Sequence, residues 1–164
     1  KRAGGSGGRV ISGGGSGGTP AGGLGRVAWS LAPDRDAIVV ALGGNDLLRG
    51  LAPEAGRDNV TGILDVAKTA GLEIMIVGMS ASGNYGPEYK QAFDAIYPDA
   101  AQTYDAVYHP SFFEGLLSEG QDPAGIRAFM QSDGIHPNAD GVARIVESMG
   151  PAIEQLLLRA QTRG

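Results

Sequence analysis

Asp36-Ala37-Ile38-Val39-Val40-Ala41-Leu42 is apolar after its first residue and runs directly into the turn signal Gly43-Gly44-Asn45-Asp46. An apolar run of this length, without polar alternation, is typical of a strand that is covered on both faces. Glu73-Ile74-Met75-Ile76-Val77-Gly78-Met79 repeats the pattern, and Asp105-Ala106-Val107-Tyr108 is a shorter version of it. Arg9-Val10-Ile11 is also strand-like. These strands predict a parallel sheet buried between helices.

The segments between and after these strands have helical periodicity. Helices are predicted over Leu24–Leu31, over Asp58–Ala70 and around residues 89–97, and a long last helix is expected to kink at Pro151. Two apolar faces stand out: Val60, Ile63, Leu64 and Ala67 in the second helix, and Val142, Ile145, Val146, Met149, Ile153 and Leu156 in the last. Strands that alternate with helices predict a single α/β domain over residues 1–164, with three α/β/α layers and a parallel, flavodoxin-like central sheet.

Glycine is concentrated at the start of the chain, where twelve of the 28 glycines fall within the first 25 residues. Residues 1–8 are rich in Gly and Ser, a composition typical of a flexible or poorly defined segment. Gly13-x-Gly15-x-x-Gly18 follows Val10-Ile11 and precedes a helix, which formally satisfies the dinucleotide-binding fingerprint, and Asp36 lies at about the expected distance. A glycine-rich segment produces this pattern easily, so NAD(H) binding is retained only as an alternative.

Composition excludes several classes of function. The net charge of −5 argues against nucleic acid as the main partner, and no apolar run approaches membrane-spanning length, so no stable membrane insertion is expected. The chain has no Cys and only two His, far apart, so neither a thiolate nucleophile nor a metal site is predicted. We therefore predict no metal and no cofactor. The sequence leaves the oligomeric state open.

Asp133-Gly134-Ile135-His136-Pro137 is the segment with the clearest chemistry, because it places a carboxylate and an imidazole three positions apart. Imidazole transfers protons near neutral pH, and a neighbouring carboxylate can hold it in the required tautomer. In parallel sheets ligands bind at the carboxyl ends of the strands, where the loops after Gly43 and Ser80 begin and where this segment is expected to join them. The alternative is a capping Asp beside a surface His. His109 lacks such a motif and is expected to be structural.

The order of these motifs resembles the SGNH (GDSL-type) hydrolases, in which Gly-Gly-Asn-Asp follows a buried strand and Asp-Gly-Ile-His-Pro precedes the last helix. Asn84-Tyr85-Gly86, Ala92–Pro98 and Asp133–Asn138 are more specifically similar to the bacterial thioesterase I/lysophospholipase/arylesterase subgroup. The resemblance extends from about Val10 to Leu157. It implies a serine esterase that hydrolyses acyl or aryl esters, thioesters or lysophospholipids through an acyl-enzyme, and a periplasmic or secreted location.

The resemblance also implies roles for individual residues. Asp133 and His136 correspond to the acid and base of the catalytic triad, and Asn45 to the side-chain donor of the oxyanion hole. Gly17, in Ser16-Gly17-Gly18-Thr19, corresponds to a backbone oxyanion donor, although the family pattern there is Ser-Gly-Asp-Thr and Gly18 departs from it. Two further residues in the loop after the second strand are expected either to line the acyl pocket or only to pack the loop: Asn84 and Tyr85.

The nucleophile is the point at which this chain departs from the family. The family's serine lies in a Gly-Asp-Ser-Leu turn after an N-terminal strand, and this tetrapeptide does not occur here. Ser16 is the nearest imitation, but its position fits the family's second block. The resemblance therefore implies that the nucleophile-bearing strand is missing from the sequence. The alternative function is a hydrolase-like binding module, or a fragment, without a nucleophile.

Overall fold

Three parallel strands, β1 (Ala37–Val40), β2 (Glu73–Val77) and β3 (Val107–His109), form the centre of the fold in the order β1-β2-β3. Val39 pairs with Met75, which in turn pairs with Val107. β2 is the central strand and all five of its residues are buried, which explains why its sequence lacks polar alternation. The structure is a computed structural model, and it describes residues 10–14, 18–31, 35–117 and 126–162.

Helices cover both faces of this sheet. They are α1 (Pro20–Ser30), α2 (Gly44–Leu48), α3 (Pro53–Thr69), α4 (Pro87–Asp94), α5 (Ile96–Tyr104), α6 (Glu114–Leu117) and α7 (Ala139–Thr162). One face of the sheet, with Ile74 and Ile76, packs against α1, α3, α4 and α5. The other face, with Met75 and Val107, packs against Leu156 and its neighbours on α7. The predicted three-layer α/β/α architecture with a parallel sheet is therefore confirmed.

The direction of α7 determines where its first turn lies. Near its end, the Arg159 guanidinium donates to the carbonyl oxygen of Asp105, just before β3, at 2.6 Å. Nearer its start, Arg144 and Ser148 lie against Gly115, which follows β3. The helix therefore runs antiparallel to the strands, and its N-terminus lies beyond their carboxyl ends. The segment before α7 thus lies at the edge of the sheet from which β1 leads to Asn45.

The predicted apolar stripe of the last helix is partly wrong. Ile145 and Leu156 are buried as expected, but Val142 and Val146 are 49% and 63% exposed. The inward stripe instead begins at Gly141, which packs closely on the backbone of Phe129, and continues through Ile145 at the next turn. Val142 and Val146 each follow one of these residues and are therefore rotated by about 100° toward solvent.

Two other predicted elements also differ. Val10 and Ile11 lie outside regular secondary structure and are exposed. No described strand pairs with the outer edge of β1, so these two residues, set among glycines, lack the ladder that would offset the entropy of ordering a strand. The single helix expected around residues 89–97 is two helices, α4 and α5, which meet at Ala95.

The first and last helices, α1 and α7, differ from the sequence-based expectation only in detail. α1 begins earlier than expected because Thr19 caps it, its hydroxyl accepting from the Gly22 N–H at 3.1 Å, and Pro20 occupies the first helical position. α7 continues through Pro151. Residues 1–8 lie outside the described residues. None of the helices in the described ranges combines the length and the apolar composition that crossing a bilayer requires.

Candidate active site

Asp133 and His136 form a direct pair. The His136 Nδ1 atom lies 2.7 Å from Asp133 Oδ2, while Asp133 Oδ1 accepts the backbone N–H groups of Ile135 and His136 at 2.9 and 3.0 Å. Gly134 makes this tight turn possible, since its φ is +67°. The hydrogen bond from the His136 ring, followed by the two backbone N–H groups, lowers the pKa of Asp133 to about 2.

The pair has the electrostatics of a proton-transfer site. Because Asp133 is ionised near neutral pH, it favours the tautomer of His136 with the proton on Nδ1. The Nε2 atom then keeps a free lone pair, and no described residue hydrogen-bonds to it. The imidazole is 69% exposed, so a reacting group can approach it. The sequence-based pairing of these two residues is thus reproduced by the geometry.

The loop carrying the pair is tied to the start of α7. The backbone N–H of Gln131 donates to the carbonyl oxygen of His136 at 2.7 Å, and Met130 forms an isolated antiparallel bridge with Pro137. Asn138 caps α7, because its Oδ1 accepts the Gly141 N–H at 3.0 Å. An Asn directly before a helix is a typical N-cap signal in a sequence, and α7 begins at the next residue, Ala139.

Asn45 lies in the first turn of α2, two residues after the left-handed Gly43 that follows β1. Its side-chain Nδ2 donates to the carbonyl oxygen of Gly18 at 3.1 Å. A primary amide has two N–H donors, so this bond fixes the plane of the amide and leaves the second N–H for another acceptor. An amide held in this way can stabilise a developing oxyanion.

The predicted backbone donor and the candidate nucleophile, Gly17 and Ser16, both lie outside the described residues. Their nearest described neighbour is Gly18, which is the residue that accepts the hydrogen bond from Asn45. Gly18 and Asn45 are thus in contact, although they are 27 positions apart in sequence.

Asn84 and Tyr85 lie in a short 3₁₀ turn, Gly83–Tyr85, after β2, and both are exposed. The Tyr85 hydroxyl donates to the carbonyl oxygen of Leu48, at the end of α2, at 3.4 Å, and the Tyr85 ring lies 4.9 Å from that of Tyr89. Tyr85 is thus in contact with the helix that carries Asn45. Asn84 makes no hydrogen bond within the part of the chain that the structure describes.

Comparison with known proteins agrees with this architecture. The sequence pattern of the GDSL-like lipase/acylhydrolase family matches residues 2–144. The chain belongs to this family. It is 37% identical over 150 residues to the esterase TesA of Pseudomonas aeruginosa, covering 91% of this chain and 71% of the relative. It is 36% identical over 120 residues to thioesterase 1/protease 1/lysophospholipase L1 of Escherichia coli K12, covering 73% of this chain and 54% of the relative.

A solved structure extends the comparison to the fold. AlinE4, a SGNH-hydrolase family esterase, superposes with a TM-score of 0.69 at 39% identity, covering 90% of this chain and 76% of AlinE4. The family and the fold expected from the sequence motifs are therefore confirmed. The roles of the individual site residues stay predictions.

Within this family member, the described site consists of two groups. Asp133 is bonded to His136, and Asn45 is bonded to Gly18 and lies on the helix that contacts Tyr85. The direction of α7 places both groups at the same edge of the sheet, but no hydrogen bond joins them within the described ranges. A surface pocket of about 330 Å³ beside Asp133 is lined by Arg127, Met130, Gln131, Ser132, Asp133 and Gly134.

An ion pair between Lys90 and Asp94, which the sequence does not mark, organises the loop after β2. The Asp94 carboxylate accepts the Ala81 N–H at 2.7 Å and the Ser80 hydroxyl at 3.1 Å, and it also pairs with Lys90 at 2.6 Å. Lys90 in turn donates to the carbonyl oxygen of Ala81 at 2.7 Å. These bonds fasten the start of the loop that carries Asn84. The only available signal was a Lys and an Asp four residues apart, which marks many exposed helices.

No group of three or more His, Asp or Glu side chains in the described ranges is arranged to hold a metal ion. The donors gathered at this edge of the sheet are instead one imidazole–carboxylate pair and one oriented amide. That combination suits proton transfer and oxyanion stabilisation.

Proposed function

We propose that this family member is a serine esterase that hydrolyses carboxylic esters or thioesters through an acyl-enzyme. The observation that carries the proposal is the 2.7 Å contact between His136 Nδ1 and an Asp133 carboxylate whose pKa is lowered to about 2. The oriented amide of Asn45 supports it, since acyl transfer needs both a base and an oxyanion donor. Relatives named as esterase and thioesterase support the same substrate class.

The proposed reaction has two halves, acylation of the serine and hydrolysis of the acyl-enzyme, and each group acts in both. His136 Nε2 takes the proton of a serine hydroxyl as its oxygen attacks the acyl carbon, and Asp133 stabilises the resulting imidazolium. The carbonyl oxygen, now an anion, receives N–H donors from Asn45 and Gly17. The tetrahedral intermediate collapses, the bond to the alcohol or thiol breaks, and His136 returns the proton to that leaving group. Water then repeats the sequence and releases the carboxylic acid and the serine.

The serine is the unassigned component. Ser16 is the candidate within this sequence, and a nucleophile on a segment outside the sequence is the other source. A binding module without a nucleophile is the second candidate function, and one observation favours it: the Gly-Asp-Ser-Leu tetrapeptide is absent. We propose that the substrate is a small acyl ester or thioester whose acyl group lies beside Asn84 and Tyr85.

The test combines turnover with covalent labelling. The protein is assayed with p-nitrophenyl butyrate, labelled with a fluorophosphonate and analysed by peptide mass spectrometry to identify the labelled residue. We expect turnover and labelling of one serine, with both lost in His136→Ala. His109→Gln, which alters the only other histidine, is the matched control and should retain both. Turnover that persists in His136→Ala, or an absence of turnover and label in the folded protein, would contradict the proposal; the second result would favour the binding module.

A further inference from the structure

The turn that leads from β1 to Asn45 is supported from below by a buried tyrosine. The Tyr97 hydroxyl donates to the carbonyl oxygen of Leu42 at 2.9 Å, a contact between residues 55 positions apart in sequence. Tyr97 is only 3% exposed. Burial, and then the charge of Asp46, raise the pKa of Tyr97 well above its usual range, so the hydroxyl is protonated and can donate a hydrogen bond at neutral pH.

Gly43 shows how closely the turn fits over this side chain. Its φ is +115°, and a Cβ atom added to it would overlap the Tyr97 hydroxyl. The Phe93 ring lies below the same spot and packs edge-on against Tyr97, with ring centroids 5.8 Å apart. The backbone of the turn therefore rests directly on the aromatic hydroxyl, with no space for a side chain between them.

Two hydrogen bonds couple the position of this turn to the orientation of Asn45. The carbonyl oxygen of Gly43 accepts the Leu47 N–H at 2.9 Å, which closes the first turn of α2. Asn45 lies within that turn and donates to Gly18 at 3.1 Å. A displacement of Leu42 or Gly43 should therefore alter the direction of the Asn45 amide, because only two residues separate Leu42 from Asn45.

We propose that Tyr97 is a positioning residue that sets the orientation of the Asn45 side-chain amide. Among the described residues no hydrogen bond joins Tyr97 to Asn45, so Tyr97 acts through the backbone of the turn. The catalytic consequence rests on the proposed function, whereas the structural consequence does not. Loss of an oxyanion donor reduces kcat by about 10²–10³-fold, and a misdirected donor should cost less, roughly 10-fold, with little change in KM.

The chain offers a matched control on the same helix. Tyr104 also lies on α5, and its hydroxyl is near a backbone carbonyl, that of Thr61, at 3.4 Å, and bonded to Asp65 Oδ1 at 2.6 Å. These partners belong to α3 rather than to the turn before α2. Tyr104→Phe therefore removes a hydroxyl of the same kind without disturbing the support of Asn45.

The experiment compares Tyr97→Phe with Tyr104→Phe in ¹H–¹⁵N spectra, in which the Asn45 side-chain amide signals are assigned by their loss in Asn45→Ala. We expect Tyr97→Phe to shift these signals and to accelerate hydrogen exchange of the Leu47 amide, while Tyr104→Phe changes neither. Unchanged Asn45 signals in a folded Tyr97→Phe protein would overturn the proposal, even if its midpoint of urea unfolding falls. Because the spectra need no turnover, this result is independent of whether the protein is an esterase.

Kinetics then test the catalytic consequence. In a preparation that turns over p-nitrophenyl butyrate, we expect kcat to fall roughly 10-fold in Tyr97→Phe with KM within about twofold, and both to be unchanged in Tyr104→Phe. Equal losses of kcat in the two variants would show a merely structural role and overturn the positioning assignment. A preparation without turnover contradicts the proposed function but leaves the spectroscopic result to decide the role of Tyr97.

Discussion

Replacement of Gly43 by Ala should destabilise the protein more than the same replacement at Gly71, which also has a positive φ. Two costs combine at this position. An L-residue at this positive φ costs about 1–2 kcal/mol, and a methyl group forced against a packed neighbour costs about 1–3 kcal/mol. The methyl group of Gly43→Ala would overlap the Tyr97 hydroxyl, so we expect a loss of about 2–5 kcal/mol in the free energy of unfolding.

A comparison with Gly71 separates the backbone cost at positive φ from the steric cost of the added methyl group. Gly71 has a φ of +74°, but a Cβ atom there would meet nothing within 4 Å. Gly71→Ala should therefore show the backbone cost alone, about 1–2 kcal/mol. Urea unfolding, followed by circular dichroism, measures both variants. Equal losses for Gly43→Ala and Gly71→Ala would refute the close packing of the turn on Tyr97.

Three further predictions concern the site. Asn45→Ala should lower kcat for p-nitrophenyl butyrate by about 10²–10³-fold with little change in KM, whereas Asn59→Ala, on the exposed face of α3, should not; equal effects would exclude Asn45 as an oxyanion donor. The pKa of Asp133 is lowered from 3.8 to about 2, so its stabilising contribution should be complete above pH 4 and lost as the pH falls toward 2. Carboxyl NMR titration measures that pKa directly, and an unshifted value would contradict the hydrogen bond between Asp133 and His136. Asp94→Ala should cost about 1–3 kcal/mol, because it removes the acceptor of the part-buried Ala81 N–H. Asp99→Ala, which removes an exposed ion pair, should cost at most about 1 kcal/mol. Urea unfolding measures both variants.

The central features of this fold could be predicted because they are local in sequence. The apolar run of β2 is continuous since both faces of that strand are covered, and a run of this kind is visible in the sequence. Asp133 and His136 are three residues apart, so one turn suffices to bring them together. The spacing of the motifs also identified the family that the comparisons confirm.

The features that could not be predicted depend on contacts between distant segments. Tyr97 meets Leu42 across 55 residues, and nothing in either local sequence marks that pairing. The apolar period of the last helix predicts that Val142 and Val146 are buried, because such a period cannot distinguish two adjacent faces of a helix. The close approach of Gly141 to Phe129 decides which face turns inward, and that contact exists only in the folded chain.

The proposed function requires that an acyl group is transferred to a serine of the protein, with His136 as the base. The most direct measurement is the intact mass of the protein after brief mixing with p-nitrophenyl butyrate and acid quenching. We predict a population heavier by one butyryl group, absent in His136→Ala and present in His109→Gln. A burst of p-nitrophenol would show that an intermediate accumulates after the first product leaves. If the folded protein gives such a burst but no acylated species at any quench time, the result would contradict the acyl-enzyme account.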